Sequence, residues 1–335
     1  MQTRSISSPF LPILATLYVL GFSNLFLRST FGVLAPTLAN EMHLTPAALS
    51  TVASAFFVAY ALMQIPTGVL LDRFGPRRTL STMLLSTLAG AATFANAPSA
   101  ALLAAGRVLM GIGCAGIFTG AFYVLSLWLP QDRVVTQSGA LNSFAATGNL
   151  CATTPLALLI ALIGWRDSYW FFAGSVMVLL AMTAAIVRDD PSEYGGSTKS
   201  KETIGQVLAG VRRAVRQPGM SRLLFAGVPI AAAATITGVW GAPYLRDVHK
   251  LSGIERGNVL FAMAFCAMSG HLIVGMVARR INSLKFAILT GGFVIVVAMA
   301  TLAYLENPPL WVVTALFCLM GIASSYPSII MGHSL

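Results

Sequence analysis

The sequence predicts an all-α polytopic membrane protein with about ten transmembrane helices. Apolar residues make up 56% of the 335 residues and charged residues only 10%, against roughly 45–50% and about 25% in soluble domains. The apolar residues fall in blocks of about twenty, and a helix of that length crosses the roughly 30 Å hydrocarbon core of a bilayer. One soluble core could not bury this much apolar surface, so the lipid bilayer is the expected surroundings.

The apolar blocks predict spans at residues 10–38, 47–71, 79–97, 100–128, 137–163, 168–187, 219–245, 254–278, 284–304 and 309–333. The first block is too long for a removable signal peptide and runs on into a second span without a cleavage site. Four cysteines, Cys114, Cys151, Cys266 and Cys318, lie within apolar runs without CxxC spacing. We expect packed thiols rather than a metal site or a disulfide framework.

A long polar stretch, residues 188–218, separates an N-terminal half, residues 1–187, from a C-terminal half, residues 219–335. Within it apolar residues recur at helical spacing, while three arginines lie off that stripe. This pattern predicts an amphipathic helix on an anionic cytoplasmic leaflet. A solvated tether with little helix is the alternative.

The placement of lysines and arginines predicts the orientation. With the N-terminus inside, the external segments contain only Arg166, Arg246, Lys250 and Arg256. Because positive residues favour the cytoplasmic side, the N-terminus and the central linker are expected in the cytoplasm, at the cell (inner) membrane. The net charge of +10 thus follows from topology, and nucleic acid is not an expected partner.

The segment GVLLDRFGPRR, residues 68–78, forms the predicted cytoplasmic turn between spans two and three. Gly75 suits a left-handed C-terminal cap, and Arg77 and Arg78 hold the turn on the positive side. Asp72 needs another explanation, because a carboxylate at the C-terminal end of a helix faces the negative pole of the macrodipole. We therefore expect Asp72 to have a partner from another element.

This turn resembles the signature between helices 2 and 3 of the major facilitator superfamily, matched at Gly68, Asp72, Arg73, Gly75, Arg77 and Arg78. Arg107 with the glycines that follow it in span four is similar to a second signature of that family. The resemblance implies two six-helix halves and a secondary transporter that works by alternating access. It also implies conformational gating by the turn, joined by Asp132, and neither enzymatic activity nor a cofactor. We expect a monomer.

An internal repeat supports this resemblance, because positions 207 apart match at two separate sites. Ala35, Pro36 and Leu38 correspond to Ala242, Pro243 and Leu245, and the turn around Gly75 corresponds to the segment around Asn282. Asp72 has no acidic counterpart, since Arg279 stands at that position. The same offset gives the second half only four of its six helices. Either the last two helices are missing or the chain is a natural ten-span variant.

Two arginines fall within predicted spans, whereas all acids lie at or beyond span ends. Burying each arginine costs about 2.5–3.5 kcal/mol, so both are expected to have a function or a structural partner. Arg28 could clamp a carboxylate or phosphate by two hydrogen bonds, or snorkel to the outer headgroups. For Arg107 the resemblance implies packing and proton coupling rather than substrate contact.

Polar and aromatic residues at helical spacing give the other candidates for substrate binding: Tyr60, Gln64, Asn142 and Asn149 in the first half, and Trp240, Tyr244, His271 and Tyr326 in the second. Such stripes also serve as interhelical contacts. His271 could carry a proton near neutral pH, or be a packed neutral histidine.

These residues favour proton-coupled uptake of a small organic anion. Span five lacks the glycines that the resemblance associates with drug efflux, since Thr154-Pro155-Leu156 stands there, and a buried acid for cationic drugs is missing. Efflux of small molecules and a truncated, non-transporting fragment are the alternatives. A membrane enzyme is disfavoured because the histidines and acids have no metal-ligand or nucleophile spacing.

Overall fold

The computed structural model describes residues 10–189, 213, 216–217, 220–281, 284–305 and 307–324, without the side chains of 131–132, 135, 221–224, 226, 237, 271–281 and 284–288. Most of these residues lie in eleven α-helices and one π-helical turn, which confirms the predicted all-α class. Most of the predicted linker helix and residues 325–333 of the tenth predicted span lie outside the described residues.

In chain order the helices are α1 (Phe10–Glu41), α2 (Pro46–Phe74), α3 (Pro76–Ala95), α4 (Ala100–Trp128), α5 (Gln131–Cys151), α6 (Thr154–Ile186), α7 (Met220–Thr235), the π-helical turn (Ile236–Trp240), α8 (Gly241–Asp247), α9 (Gly253–Ile281), α10 (Leu284–Tyr304) and α11 (Leu310–Ala323). Five stretches of the described residues are long and apolar enough to cross a membrane: Phe10–Glu41, Pro46–Phe74, Ala100–Trp128, Thr154–Ile186 and Gly227–Asp247.

The described residues belong to two compact units, which are treated separately below. The first comprises Met1–Arg28, Ala39–Gly148 and Ile163–Gly210, and the second comprises Ser29–Leu38, Asn149–Leu162 and Val211–Leu335. The division into halves at residues 188–218 stays a prediction.

In the first unit, α4 packs closely on α3 through glycines. A Cβ placed on Gly90 of α3 would lie 2.6 Å from the Met110 nitrogen, and one on Gly106 of α4 would lie 2.9 Å from the Gly90 oxygen. Only residues without side chains let two helix backbones approach this closely. The glycines of α4 therefore fix the positions of the polar residues that α4 carries.

The fifth predicted span, residues 137–163, is wrong as a single helix. Here α5 already begins at Gln131 and ends at Cys151, and α6 begins at Thr154. Pro155 explains the break, because proline has no N–H and its ring clashes with the carbonyl four residues back. Helical geometry is interrupted again at Gly164, where φ is 80° and ψ is 165°, and this marks the predicted connection between spans five and six.

The seventh predicted span, residues 219–245, also departs from a regular helix. It consists of α7, the π-helical turn and α8, and the Gly241 N–H bonds the Ile236 carbonyl, five residues back. Pro243 cannot supply the N–H that a regular α-helix needs at that position. Single π-helical turns of this kind often occur at functional sites.

The internal repeat extends to backbone conformation. His43 (φ 51°) and Lys250 (φ 56°), the two non-glycine residues with positive φ among those described, stand 207 positions apart. Two residues later, Thr45 and Ser252 both cap a helix, since the Ala48 and Glu255 N–H groups donate to their hydroxyls at 3.2 and 3.4 Å. The connections α1–α2 and α8–α9 therefore have the same backbone conformation and the same kind of helix cap.

Helix packing is repeated as well. A Cβ on Gly111 of α4 would collide with the Phe56 carbonyl oxygen of α2, and one on Gly321 of α11 would lie 2.5 Å from the Met263 carbonyl oxygen of α9. Phe56 and Met263 are 207 apart and the glycines 210 apart. The second and fourth helices of each copy thus touch at corresponding points.

Candidate functional site

Three predicted binding residues of the first unit lie together on α1 and α2. Arg28 is half-buried, with its guanidinium carbon 5.5 Å from the centre of the Phe57 ring and 5.9 Å from that of Tyr60. The Tyr60 hydroxyl interacts with the side chain of Gln64, one turn further along α2. The group of Arg28, Phe57, Tyr60 and Gln64 is called the Arg28 cluster below.

Arg107 lies beside this cluster and is completely buried. Its Nη1 donates to the Leu27 carbonyl at 3.4 Å, and its guanidinium carbon is 4.3 Å from the centre of the Phe56 ring. Phe56 in turn stacks on Tyr60 with centroids 6.0 Å apart. A desolvated cation over an aromatic ring gains about 2 kcal/mol, which offsets part of the cost of burying Arg107 in a membrane.

Hydrogen bonds tie helix α1 to α4 in this region. Besides the bond from Arg107, the Asn24 amide donates to the Cys114 carbonyl at 2.6 Å. Because these bonds lie one residue and one turn before Arg28, they hold the backbone that carries it. Sequence reasoning missed Asn24 and the two phenylalanines. For Asn24, the available signal was its spacing of one helical turn from Arg28.

The remaining candidates are placed elsewhere. Asn142 lies exposed on α5, and Asn149 in the second unit accepts a hydrogen bond from the Ser29 hydroxyl at 2.7 Å. Trp240 is 42% exposed, and the half-buried Tyr244 packs against Phe317 with centroids 6.4 Å apart. Tyr326 and the side chain of His271 lie outside the described part of the chain.

The turn between α2 and α3 brings Asp72 to α4, where the Tyr123 hydroxyl hydrogen-bonds to it. Asp72 thus interacts with a residue of another helix, and its role in gating stays a prediction. Arg73 lies over the Phe74 ring at 5.5 Å, while Arg77 and Arg78 are exposed. Gly68 has open space beside it, and the side chain of Asp132 is not among those described.

Gly75 corrects one detail of that turn. Its φ is 80°, but its ψ is 164°, so it does not adopt the left-handed helical conformation predicted from the sequence. This region of backbone space is accessible essentially to glycine alone. Gly75 still ends α2, since its N–H donates to the Leu71 carbonyl at 3.0 Å.

Comparison with known proteins identifies the family. The model of the Major Facilitator Superfamily matches residues 17–333. The probable sulfoacetate transporter SauU of Cupriavidus necator is 30% identical over 201 residues, which cover 59% of this chain and 46% of that protein. The probable galactarate/D-glucarate transporter GudP of Bacillus subtilis is 26% identical over 289 residues, covering 78% of this chain and 63% of that protein.

A solved structure shows the same fold. A bacterial homologue of the human lysosomal transporter Spinster, in an inward-facing and unoccupied conformation, superposes with a TM-score of 0.78 at 18% identity, over 98% of this chain and 75% of that one. This chain thus spans about half to two thirds of the length of the two curated relatives. Among the described residues, no group of three or more metal-binding side chains occurs.

Proposed function

Because the chain belongs to the Major Facilitator Superfamily, we propose that this integral membrane transporter takes up a small organic anion, which Arg28 binds. The Arg28 cluster carries the proposal. A guanidinium in a membrane-spanning helix is held there by two aromatic rings, and none of the ion pairs between described side chains involves it. A planar guanidinium can still offer parallel N–H donors to a carboxylate or sulfonate.

The names of the relatives support an anionic substrate. Sulfoacetate carries a sulfonate and a carboxylate, and galactarate and D-glucarate carry two carboxylates and a chain of hydroxyl groups. Tyr60 and Gln64, next to Arg28, supply the neutral donors and acceptors that hydroxyl groups require. We extend this class, but no single compound, to the present chain.

Arg107 is the proposed coupling residue. Its complete burial argues against direct contact with substrate, and its bond to the Leu27 carbonyl reaches the backbone directly before Arg28. A change in the surroundings of Arg107 would therefore move Arg28. Proton coupling, a cytoplasmic N-terminus and linker, a location in the cell (inner) membrane and a monomeric state belong to the same proposal.

Thermal-shift measurements on the purified protein test the anion-binding step. Sulfoacetate and D-glucarate should raise the melting temperature of the wild type and leave that of Arg28→Ala unchanged, because truncating one partner of a buried charge pair costs about 2–5 kcal/mol. Arg133→Ala, which removes a cation from α5 away from the cluster, is the matched control and should respond like the wild type. A larger shift with neutral D-glucose, or equal anion shifts in Arg28→Ala, would refute the proposal.

Proton coupling is tested in proteoliposomes. An inward proton gradient should accelerate uptake of the same anions, and a protonophore should abolish that acceleration. An uptake rate that does not depend on the proton gradient would refute proton coupling but would not contradict anion binding by Arg28.

A further inference from the structure

A carboxylate from the end of α6 caps the start of α3. Gly75 precedes α3 and has no side chain that could accept a bond from the first helical N–H groups. Asp189 fills this role from 112 residues away, since its Oδ1 accepts the Arg77 backbone N–H at 2.8 Å. Acidic groups at this end of a helix are favoured by the unpaired N–H groups and by the macrodipole.

The same carboxylate occupies the space beside Gly75. A Cβ placed on Gly75 would lie 2.5 Å from Asp189 Oδ1 and 2.6 Å from its Cγ. Glycine is therefore required here for two reasons, a positive φ and the close approach of Asp189. The turn and the residues that follow α6 are therefore in close contact through Gly75 and Asp189.

Tyr123 connects this cap to Asp72, the acid of the turn signature. Its hydroxyl hydrogen-bonds to Asp72, and Asp189 lies close enough to act on it electrostatically. The ends of α2, α4 and α6 and the start of α3 thus meet at one cluster. Asp189 also stands where the polar stretch between the two predicted halves begins.

We propose that Asp189 is a positioning residue for transport: it holds the start of α3, and with it the turn that carries Asp72, to the end of α6. This inference rests on the proposed transport function and on the gating role of Asp72. Asp189 itself contacts no substrate.

Transport kinetics of purified variants in proteoliposomes test the inference. Asp189→Ala should lower the turnover number about five-fold, the equivalent of the roughly 1 kcal/mol of stability that a helix cap contributes, and leave KM for sulfoacetate or D-glucarate unchanged. Asp189→Asn retains an acceptor oxygen and should stay within about two-fold of the wild type, because Asn and Asp cap equally well. The matched control Asp167→Ala, at an exposed acid elsewhere in α6, should have no effect.

Asp72→Asn is measured in parallel. If Asp72→Asn slows transport and Asp189→Ala does not, the inference fails and the proposed function stands. If neither variant slows transport, the gating role of the turn fails and this inference with it. Equal losses in Asp189→Ala and Asp189→Asn, together with a raised KM, would indicate a general folding defect and would also overturn the inference.

A double-mutant cycle tests the contact itself. Gly75→Ala should lower the melting temperature less in an Asp189→Ala background than in the wild type, because the overlap with the carboxylate is gone and only the strain of positive φ remains. Additive effects would show that Asp189 does not lie against Gly75, and would overturn the inference.

Discussion

Replacing Gly90 by alanine tests the close packing of α3 on α4. The added Cβ would lie 2.6 Å from the Met110 nitrogen and 2.7 Å from the Gly106 oxygen, whereas ordinary contact begins at 3.4 Å. The helices must therefore separate by roughly 0.8 Å, because backbone atoms cannot rotate away as a side chain can. Overpacking of this kind costs about 1–3 kcal/mol, against a gain of roughly 0.5–1 kcal/mol for alanine over glycine in a helix.

Thermal unfolding of the detergent-purified protein measures the outcome. Gly174→Ala is the matched control, because nothing lies within 4 Å of a Cβ at that position and only the helical gain applies. We expect Gly90→Ala to melt several degrees below Gly174→Ala, given roughly 2–4 °C per kcal/mol in domains of 150–250 residues. Equal melting temperatures for the two variants would refute the backbone contact.

Three further predictions concern transport. Asp72→Asn should slow uptake about ten-fold while membrane insertion stays normal, because the hydrogen bond from Tyr123 to a charged carboxylate is weakened. If the variant lost only membrane insertion, Asp72 would act in topology and not in transport. Tyr60→Phe keeps the ring near Arg28 and should weaken D-glucarate binding about five-fold by calorimetry, while an unchanged Kd would exclude the hydroxyl from the site. Gly257→Leu should slow uptake more than Gly227→Leu, since its Cβ would lie 2.9 Å from the Thr154 Cα; equal rates would contradict that packing.

The sequence predicted most of the helices from their apolar blocks, and it singled out Arg28, Tyr60 and Gln64 as candidates. Tyr60 and Gln64 stand one turn apart, and Arg28 is an arginine within an apolar block, so they could be chosen as candidates without coordinates. Phe56 and Phe57 could not be recognised as contacts of the arginines from the sequence. A phenylalanine in a membrane helix can face lipid, pack in the protein core or lie against a cation, and the sequence pattern is the same in all three cases. Only the structure shows which rings the two arginines contact.

Long-range pairs and backbone conformation were also beyond the sequence. Asp189 is far from Arg77 along the chain, and an acid that follows a helix gives no signal that it caps another one. His43 and Lys250 adopt positive φ, which only a few per cent of non-glycine residues do, and lysine is not among the residue types that favour it. Histidine and lysine are different residue types, so matching residues 207 positions apart did not reveal this shared backbone conformation. It was found only by comparing the dihedral angles in the structure.

Counterflow in proteoliposomes tests most directly whether Arg28 binds a transported anion. Vesicles loaded with unlabelled D-glucarate or sulfoacetate should accumulate the labelled compound through the wild-type protein. The initial rate at low substrate should fall roughly 30-fold or more in Arg28→Ala, from a loss of at least about 2 kcal/mol, and remain unchanged in Arg133→Ala. Accumulation at the wild-type rate in Arg28→Ala, or accumulation of D-glucose but of neither anion, would contradict the assignment.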